Sequence, residues 1–147
     1  MTLLNKYLTT EMVAFLSSDN RDDAIRSLIK NACKAKKMDS PELFFNAVIE
    51  REKVVTTGIG MGVAIPHAKL PGFKNFFVSI GVLDKGIDWK ALDGHPVRLI
   101  FLIGGPDDKQ TEYLQLLSSI THALKKEDIR KELLSSQSPE MVCQLFK

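Results

Sequence analysis

The sequence is poor in the features that mark several common classes of protein. Its 147 residues include only two cysteines, Cys33 and Cys143, which lie far apart within apolar, helix-like patterns. We therefore predict two buried free thiols, with neither a disulfide nor a metal site between them. No apolar stretch approaches the roughly 20 residues that cross a bilayer, and the N-terminus lacks the apolar core and cleavage site of a signal peptide. We expect a cytoplasmic location without membrane insertion.

Charge of one sign is also scarce. The formal net charge is +2, and no basic face or long block of lysine and arginine stands out. The short cluster formed by Lys34, Lys36 and Lys37 is typical of a solvated helix end. Because nucleic-acid binding needs a concentrated basic surface, we predict no nucleic-acid partner.

Motifs for metals and nucleotides are missing as well. The three histidines His67, His95 and His122 are widely separated, and no C-x-x-C or H-E-x-x-H motif occurs. The run GIGMG is not a G-x-G-x-x-G fingerprint, because Val63 occupies the place of the third glycine, and no G-K-[ST] follows. We predict no metal and no cofactor, and we assign no role to His95 or His122.

What is present is an alternation of helical and strand-like patterns. The length suits a single domain that buries close to ~70% of its unfolded surface. Apolar periodicity and capping signals predict strands at 12–16, 63–65, 76–83 and 97–103, and helices at 21–35, from 41 to about 51, at 108–124, at 126–134 and from 139. Turns are predicted at 70–72 and 84–86. This alternation favours an α/β domain with helices covering a sheet.

The most informative stretch is TTGIGMGVAIPHAK, residues 56–69. Alternate glycines remove side-chain bulk and leave room for a ligand or partner. Pro66 suits the end of the short strand before it, because proline cannot donate to the ladder. His67 is therefore predicted where a strand ends.

Two residues near this stretch are candidate functional groups. A neutral imidazole at His67 is a good nucleophile that can carry a phosphoryl group, although a lone histidine is often a packing or surface residue. Arg51 is suited to bind phosphate through its planar guanidinium, and equally suited to the negative end of a helix. On the residues alone, these alternatives stay open.

A resemblance to a known family adds to this interpretation. The runs REKVVTTGIGMGVAIPHAK, KGIDWKALDGHPVRLIFLI and EYLQLLSSITHAL closely resemble the IIA domain of the fructose–mannitol class of the bacterial phosphoenolpyruvate-dependent sugar phosphotransferase system, which includes nitrogen-regulatory IIA proteins. The resemblance covers nearly the whole chain and is sharpest over residues 51–103. It implies a single IIA type-2 domain over residues 1–147, an α/β/α sandwich with a mixed central sheet and helices on both faces.

The resemblance also implies a mechanism. His67 matches the histidine that accepts a phosphoryl group from the phosphocarrier protein HPr, or a paralogue, and passes it to a IIB component for sugar uptake. Arg51 matches the arginine that helps neutralise the phosphate, and from its position we expect Thr57 to donate a further hydrogen bond. The alternative implied function is a regulatory phospho-switch of the nitrogen-regulatory type, which signals by binding partner proteins.

Two positions depart from the family pattern. Tyr113 stands where many members have a second histidine that supports the phosphorylated form, and Met61 stands where asparagine is common. The Tyr113 hydroxyl is predicted either to donate a hydrogen bond to phosphate or to belong to a side chain that only fills the core. Activity as a sugar-system transferase therefore depends on what Tyr113 does.

Overall fold

The computed structural model describes residues 3–147, which are organised around a six-stranded mixed sheet. The strands are β1 Val13–Leu16, β2 Gly58–Gly60, β3 Val63–Ala64, β4 His67–Lys69, β5 Phe77–Ile87 and β6 Val97–Gly105. Their order across the sheet is β1-β5-β6-β3-β2, and β4 also pairs with β6. Strand β6 is central: it pairs antiparallel with β5 and parallel with β3 and β4.

Helices cover both faces of this sheet. The helices are α1 Arg21–Lys34, α2 Pro41–Val54, α3 Gln110–Leu124, α4 Glu127–Ser135 and α5 Pro139–Gln144. Side chains alternate along β6, so that Phe101 joins the core under α3, α4 and α5, whereas Ile100 joins the core under α1 and α2. The predicted α/β fold, with a mixed sheet between two helical layers, is confirmed. None of the helices within residues 3–147 has the length and apolar character needed to span a membrane.

Helix α2 is longer than predicted, and this changes the setting of Arg51. The prediction ended the helix near Arg51, but it continues to Val54. Its start is as predicted, with Pro41 in the first turn, where the missing N–H of proline costs nothing. Arg51 therefore lies in the last helical turn, close to the orphan carbonyl groups.

Two strand boundaries differ from the prediction. Strand β3 ends at Ala64, so Pro66 follows the end of a strand as predicted, but the Pro66 carbonyl accepts a hydrogen bond from Ile103 N (3.0 Å) and pairing with β6 resumes at once. His67 is therefore the first residue of a further strand, β4. Residues 84–86 are not a turn: β5 continues through them, with a shift of register between Val82 and Ile87. Gly86 is needed there for packing, since a Cβ would lie 2.6 Å from Pro96 Cβ.

Both cysteines are free thiols, and burial raises the pKa of each. Cys143 is buried as predicted, but Cys33, one residue before the C-terminal end of α1, is only half-buried.

Candidate active site

The backbone around His67 determines which of its ring nitrogens is available. His67 is half-buried at the start of β4, and its Nδ1 lies 3.1 Å from the carbonyl oxygen of Ile65. A carbonyl oxygen can only accept, so Nδ1 carries the hydrogen and donates it. In the neutral ring, Nε2 then holds the unshared electron pair. Nε2 is the nitrogen that is able to react.

The surroundings of His67 favour this neutral form. Burial lowers the pKa of His67 below its ordinary value, and the positive charges of Arg51 and Lys69 lower it further. The hydrogen bond to Ile65 and the negative charge of Glu52 act in the opposite direction, but the net direction of the pKa shift is downward. The His67 ring is therefore mainly neutral at pH 7, the form in which an imidazole nitrogen can act as a nucleophile.

Arg51 makes the helix-end contact that was one of the two interpretations left open by the sequence. Its Nη1 donates to the carbonyl oxygen of Val55 (2.8 Å), just past the end of α2. The same guanidinium is close enough for its charge to act on the pKa of both His67 and Tyr113, although burial has the larger effect on each. One hydrogen bond leaves the other N–H donors of the fork for an anionic group.

A buried hydrogen-bond network lies behind this surface, and sequence reasoning missed it. The Glu52 side chain accepts from Thr57 N (3.1 Å), from the Thr57 hydroxyl and from Trp89 Nε1 (3.3 Å). Glu52 and Thr57 are only 6% and 4% exposed. The signal was available in the sequence: Glu52 follows Val48 by four residues and so lies on the apolar face of α2.

This network changes the place of Thr57 in the site. The Thr57 hydroxyl and amide, which the sequence analysis expected to face a phosphate, both donate to Glu52. With both groups engaged and the side chain buried, Thr57 holds the segment between α2 and β2 in place. It does not present a free donor at the surface.

Two of the three alternate glycines serve packing rather than an open space for a ligand. A Cβ on Gly58 would lie 2.8 Å from Ala91 Cβ, and one on Gly60 would lie 3.1 Å from Asp93 Oδ2. Gly60 also has a φ of 101°. The Asp93 carboxylate accepts from Met61 N (3.0 Å), which fixes the tip of the hairpin. The expected room beside Gly58 and Gly60 is therefore filled by the chain around residue 91, whereas a Cβ on Gly62 would make only ordinary contact, 3.8 Å from the Pro96 carbonyl oxygen.

Tyr113 lies directly against His67. The two ring centroids are 5.4 Å apart, and the ring of Phe76 is stacked on Tyr113 at 6.1 Å. Tyr113 is 5% exposed, and burial raises the pKa of its hydroxyl, which stays protonated. That hydroxyl makes no hydrogen bond within residues 3–147. Tyr113 is thus both a core residue and a possible donor beside His67.

Lys69 is a further cation at this site that the sequence analysis did not single out. Its Nζ lies 4.4 Å from the ring centroid of Tyr113 and donates to Oε1 of Gln110. These contacts join β4 to the first turns of α3, so no local sequence pattern reveals them.

His95 and His122 take no part in this group. Both are exposed, His95 in the loop before β6 and His122 on α3. Among residues 3–147, no three His, Cys, Asp or Glu side chains come close enough together to hold a metal ion.

The arrangement at His67 combines a nucleophilic nitrogen with two cations, which suits the transfer of an anionic group.

Comparison with known proteins finds a matching family model and relatives that are similar over most of the chain. The family model described as phosphoenolpyruvate-dependent sugar phosphotransferase system, EIIA 2, matches residues 6–147. The fructose-specific EIIA component of Haloferax volcanii is 35% identical over 122 residues, which are 83% of this chain and 79% of that protein. The nitrogen regulatory protein of Bradyrhizobium diazoefficiens is 33% identical over 127 residues, 86% of this chain and 82% of that protein.

Length differs among the relatives. The chain matches only 21% of the fructose-specific EIIABC component of Bacillus subtilis, at 32% identity over 131 residues, or 89% of this chain.

Solved structures share the fold. Nitrogen regulatory protein IIA-Ntr from Neisseria meningitidis has a TM-score of 0.91 at 24% identity, covering 99% of this chain and 100% of that one. The mannitol enzyme IIA of Escherichia coli, in complex with phosphorylated enzyme IIB, has a TM-score of 0.77 at 22% identity, covering 95% of this chain and 96% of that one.

Proposed function

The chain belongs to the EIIA 2 family of the phosphoenolpyruvate-dependent sugar phosphotransferase system, and from that premise we propose that it is a phosphocarrier. It accepts a phosphoryl group on His67 from a phosphohistidine protein, HPr or a paralogue, and passes it to a IIB component. The proposal includes a single EIIA-type domain over residues 1–147 and a cytoplasmic location. A IIB partner is supported by the similar mannitol enzyme, whose solved complex contains phosphorylated IIB.

One observation carries the proposal: the His67 ring has a fixed tautomer beside two positive side chains. The Ile65 carbonyl engages Nδ1, so Nε2 presents its electron pair without first losing a proton. Arg51 and Lys69 supply positive charge where a phosphoryl dianion would lie. Phosphoryl transfer depends chiefly on such positioning and charge stabilisation.

The proposed step is balanced without any further reactant. The Nε2 electron pair attacks the phosphorus atom of the donor's phosphohistidine, forming a nitrogen–phosphorus bond at His67. The donor's nitrogen–phosphorus bond breaks, and its electron pair returns to the donor ring. Nδ1 keeps its hydrogen, and the Ile65 carbonyl stabilises the positive charge that develops on the phosphorylated imidazole. Transfer to IIB repeats the exchange with the IIB nucleophile as the attacking group.

The test is phosphorylation by a reconstituted donor chain. The protein is incubated with phosphoenolpyruvate, enzyme I and HPr, and the product is treated with acid and with base. We expect an acid-labile, base-stable phosphate that is lost in His67→Ala and retained in His95→Ala, the exposed control. Labelling that persists in His67→Ala, or no labelling by any HPr-like donor, would contradict the proposal.

A second candidate function is a regulatory phospho-switch that binds target proteins. The similarity to nitrogen regulatory proteins favours it, both in sequence and in the close match of fold. The two functions differ in what His67 phosphorylation achieves. Sugar-dependent transfer from His67 to a IIB protein supports transport, whereas a partner that binds only one of wild type and His67→Asp supports regulation.

A further inference from the structure

The cation nearest to His67 on its own strand is Lys69. Side chains two residues apart on a strand point to the same face, so His67 and Lys69 leave β4 on the same side. Both then meet one side chain of α3, since the Tyr113 ring lies 5.4 Å from the imidazole and 4.4 Å from Lys69 Nζ. The imidazole and the ammonium group therefore lie against the same aromatic ring.

The ammonium group of Lys69 is held in place rather than free in solvent. Gln110 accepts a hydrogen bond from Nζ, and the Tyr113 ring attracts the cation through its π electrons. Lysine has a long flexible side chain, so two such contacts remove much of the freedom that binding an anion would otherwise have to restrict.

Neither of these contacts neutralises the charge of Lys69. Gln110 and Tyr113 are uncharged, and within residues 3–147 no carboxylate forms an ion pair with Lys69 or with Arg51. Glu52, the acidic group whose charge reaches His67, is buried and already accepts three hydrogen bonds. The positive charges of Lys69 and Arg51 both act on His67 and are not neutralised by an ion pair, so an anion bound at His67 would be stabilised by both.

We propose that Lys69 binds the phosphoryl group carried by His67, and that Gln110 and Tyr113 position its ammonium group for this contact. The inference rests on the proposed phosphorylation of His67 and adds a second cation from β4 to the Arg51 guanidinium from α2. Tyr113, which stands in place of the family's second histidine, then acts through its ring as a support for Lys69.

The test measures the equilibrium constant for phosphoryl exchange between HPr and this protein, in wild type, Lys69→Met, Lys69→Arg and Lys109→Met. This equilibrium constant depends only on the free, undocked forms of the two proteins, so a change in how tightly they dock does not affect it. Lys109→Met is the matched control: it removes the neighbouring lysine, whose Nζ donates to the Lys74 carbonyl (3.2 Å) and whose charge is not among those that act on His67.

We expect Lys69→Met to lower this equilibrium constant about tenfold, as for the loss of one charge-assisted hydrogen bond. Lys69→Arg should recover the exchange to within about threefold, because the guanidinium also binds phosphate. Lys109→Met should match wild type. Gln110→Leu, which removes the tether and keeps the charge, should fall between wild type and Lys69→Met.

A second readout separates phosphate binding from a merely structural role. Titration of the unphosphorylated protein by NMR should show a higher pKa for His67 in Lys69→Met than in wild type, because a nearby positive charge is removed. If wild type is phosphorylated on His67 and Lys69→Met exchanges equally well, the inference about Lys69 is wrong and the phosphocarrier function stands. If wild type itself is not phosphorylated, the proposed function fails first.

Discussion

The buried Glu52 carboxylate gives the sharpest prediction about stability, because three donors depend on it. In Glu52→Ala, the Thr57 amide and hydroxyl lose their acceptor inside the protein, whereas Trp89 Nε1 keeps a second contact with Thr57 Oγ1 (3.3 Å). Each orphaned buried donor costs about 1–3 kcal/mol. Together with the lost packing of the Glu52 methylene groups, we expect the free energy of unfolding to fall by about 3–5 kcal/mol.

Urea unfolding followed by the fluorescence of Trp89, the single tryptophan, measures this change directly. With a urea dependence of about 2 kcal/mol per molar, the midpoint should fall by about 1.5–2.5 M. Glu52→Gln keeps one acceptor oxygen and should lose about half as much.

The matched control lies on the same helix. Glu50→Ala removes an exposed ion pair with Lys53, whose side chains are 70% and 66% exposed, and should change the stability by no more than about 0.5 kcal/mol. A Glu52→Ala midpoint within about 0.5 M of wild type would refute the view that this network holds the segment between α2 and β2.

Three further predictions concern the site and the sheet. The pKa of His67 is lowered in the folded state, so as the pH drops the unfolded chain binds a proton on this histidine before the folded protein does. The free energy of unfolding should therefore fall as the pH drops through 6.5. Urea titrations at several pH values should show a weaker dependence of this free energy on pH in His67→Gln than in wild type. Arg51→Met should raise the pKa of His67 in an NMR titration, because it removes a positive charge, and should lower phosphorylation; an unchanged pKa would place the guanidinium too far away. Gly104→Ala would bring a Cβ within 2.4 Å of the Phe77 ring, so it should lower the free energy of unfolding measured in urea by about 2–4 kcal/mol. Gly94→Ala has open space around the new Cβ but a φ of 75°, so it should lower that free energy by only about 1–2 kcal/mol. Equal losses would contradict the close packing of Phe77 on Gly104 of β6.

The sequence predicted the elements whose signal is local. The apolar run at 97–103 became the central strand β6, in which every residue except the half-buried Arg98 is buried because helices cover both faces of the sheet. Helix α1 matched its prediction closely because Asn20 caps it, accepting from Asp23 N (2.9 Å). His67 and Arg51 were candidates from their local sequence, and the resemblance assigned them roles; in the structure, the Arg51 guanidinium is close enough for its charge to act on the pKa of His67.

Several of the misses involve contacts between distant parts of the chain. The glycines indicated space, but the segment around Ala91, some 30 residues later, fills that space. Lys69 meets Gln110 across the gap between β4 and α3, and no periodicity connects residues so far apart. Pro66 follows the end of β3 as predicted, but the pairing of His67 with Ile103, which starts β4, was not predicted because the two residues lie far apart in the sequence.

The most direct test of the central claim is an NMR measurement on protein labelled with ¹⁵N in its histidines and phosphorylated through HPr. We expect a phosphorus–nitrogen coupling at Nε2 of His67, with Nδ1 still protonated and hydrogen-bonded to the Ile65 carbonyl oxygen. A coupling at Nδ1 of His67, or at either His95 or His122, would contradict it.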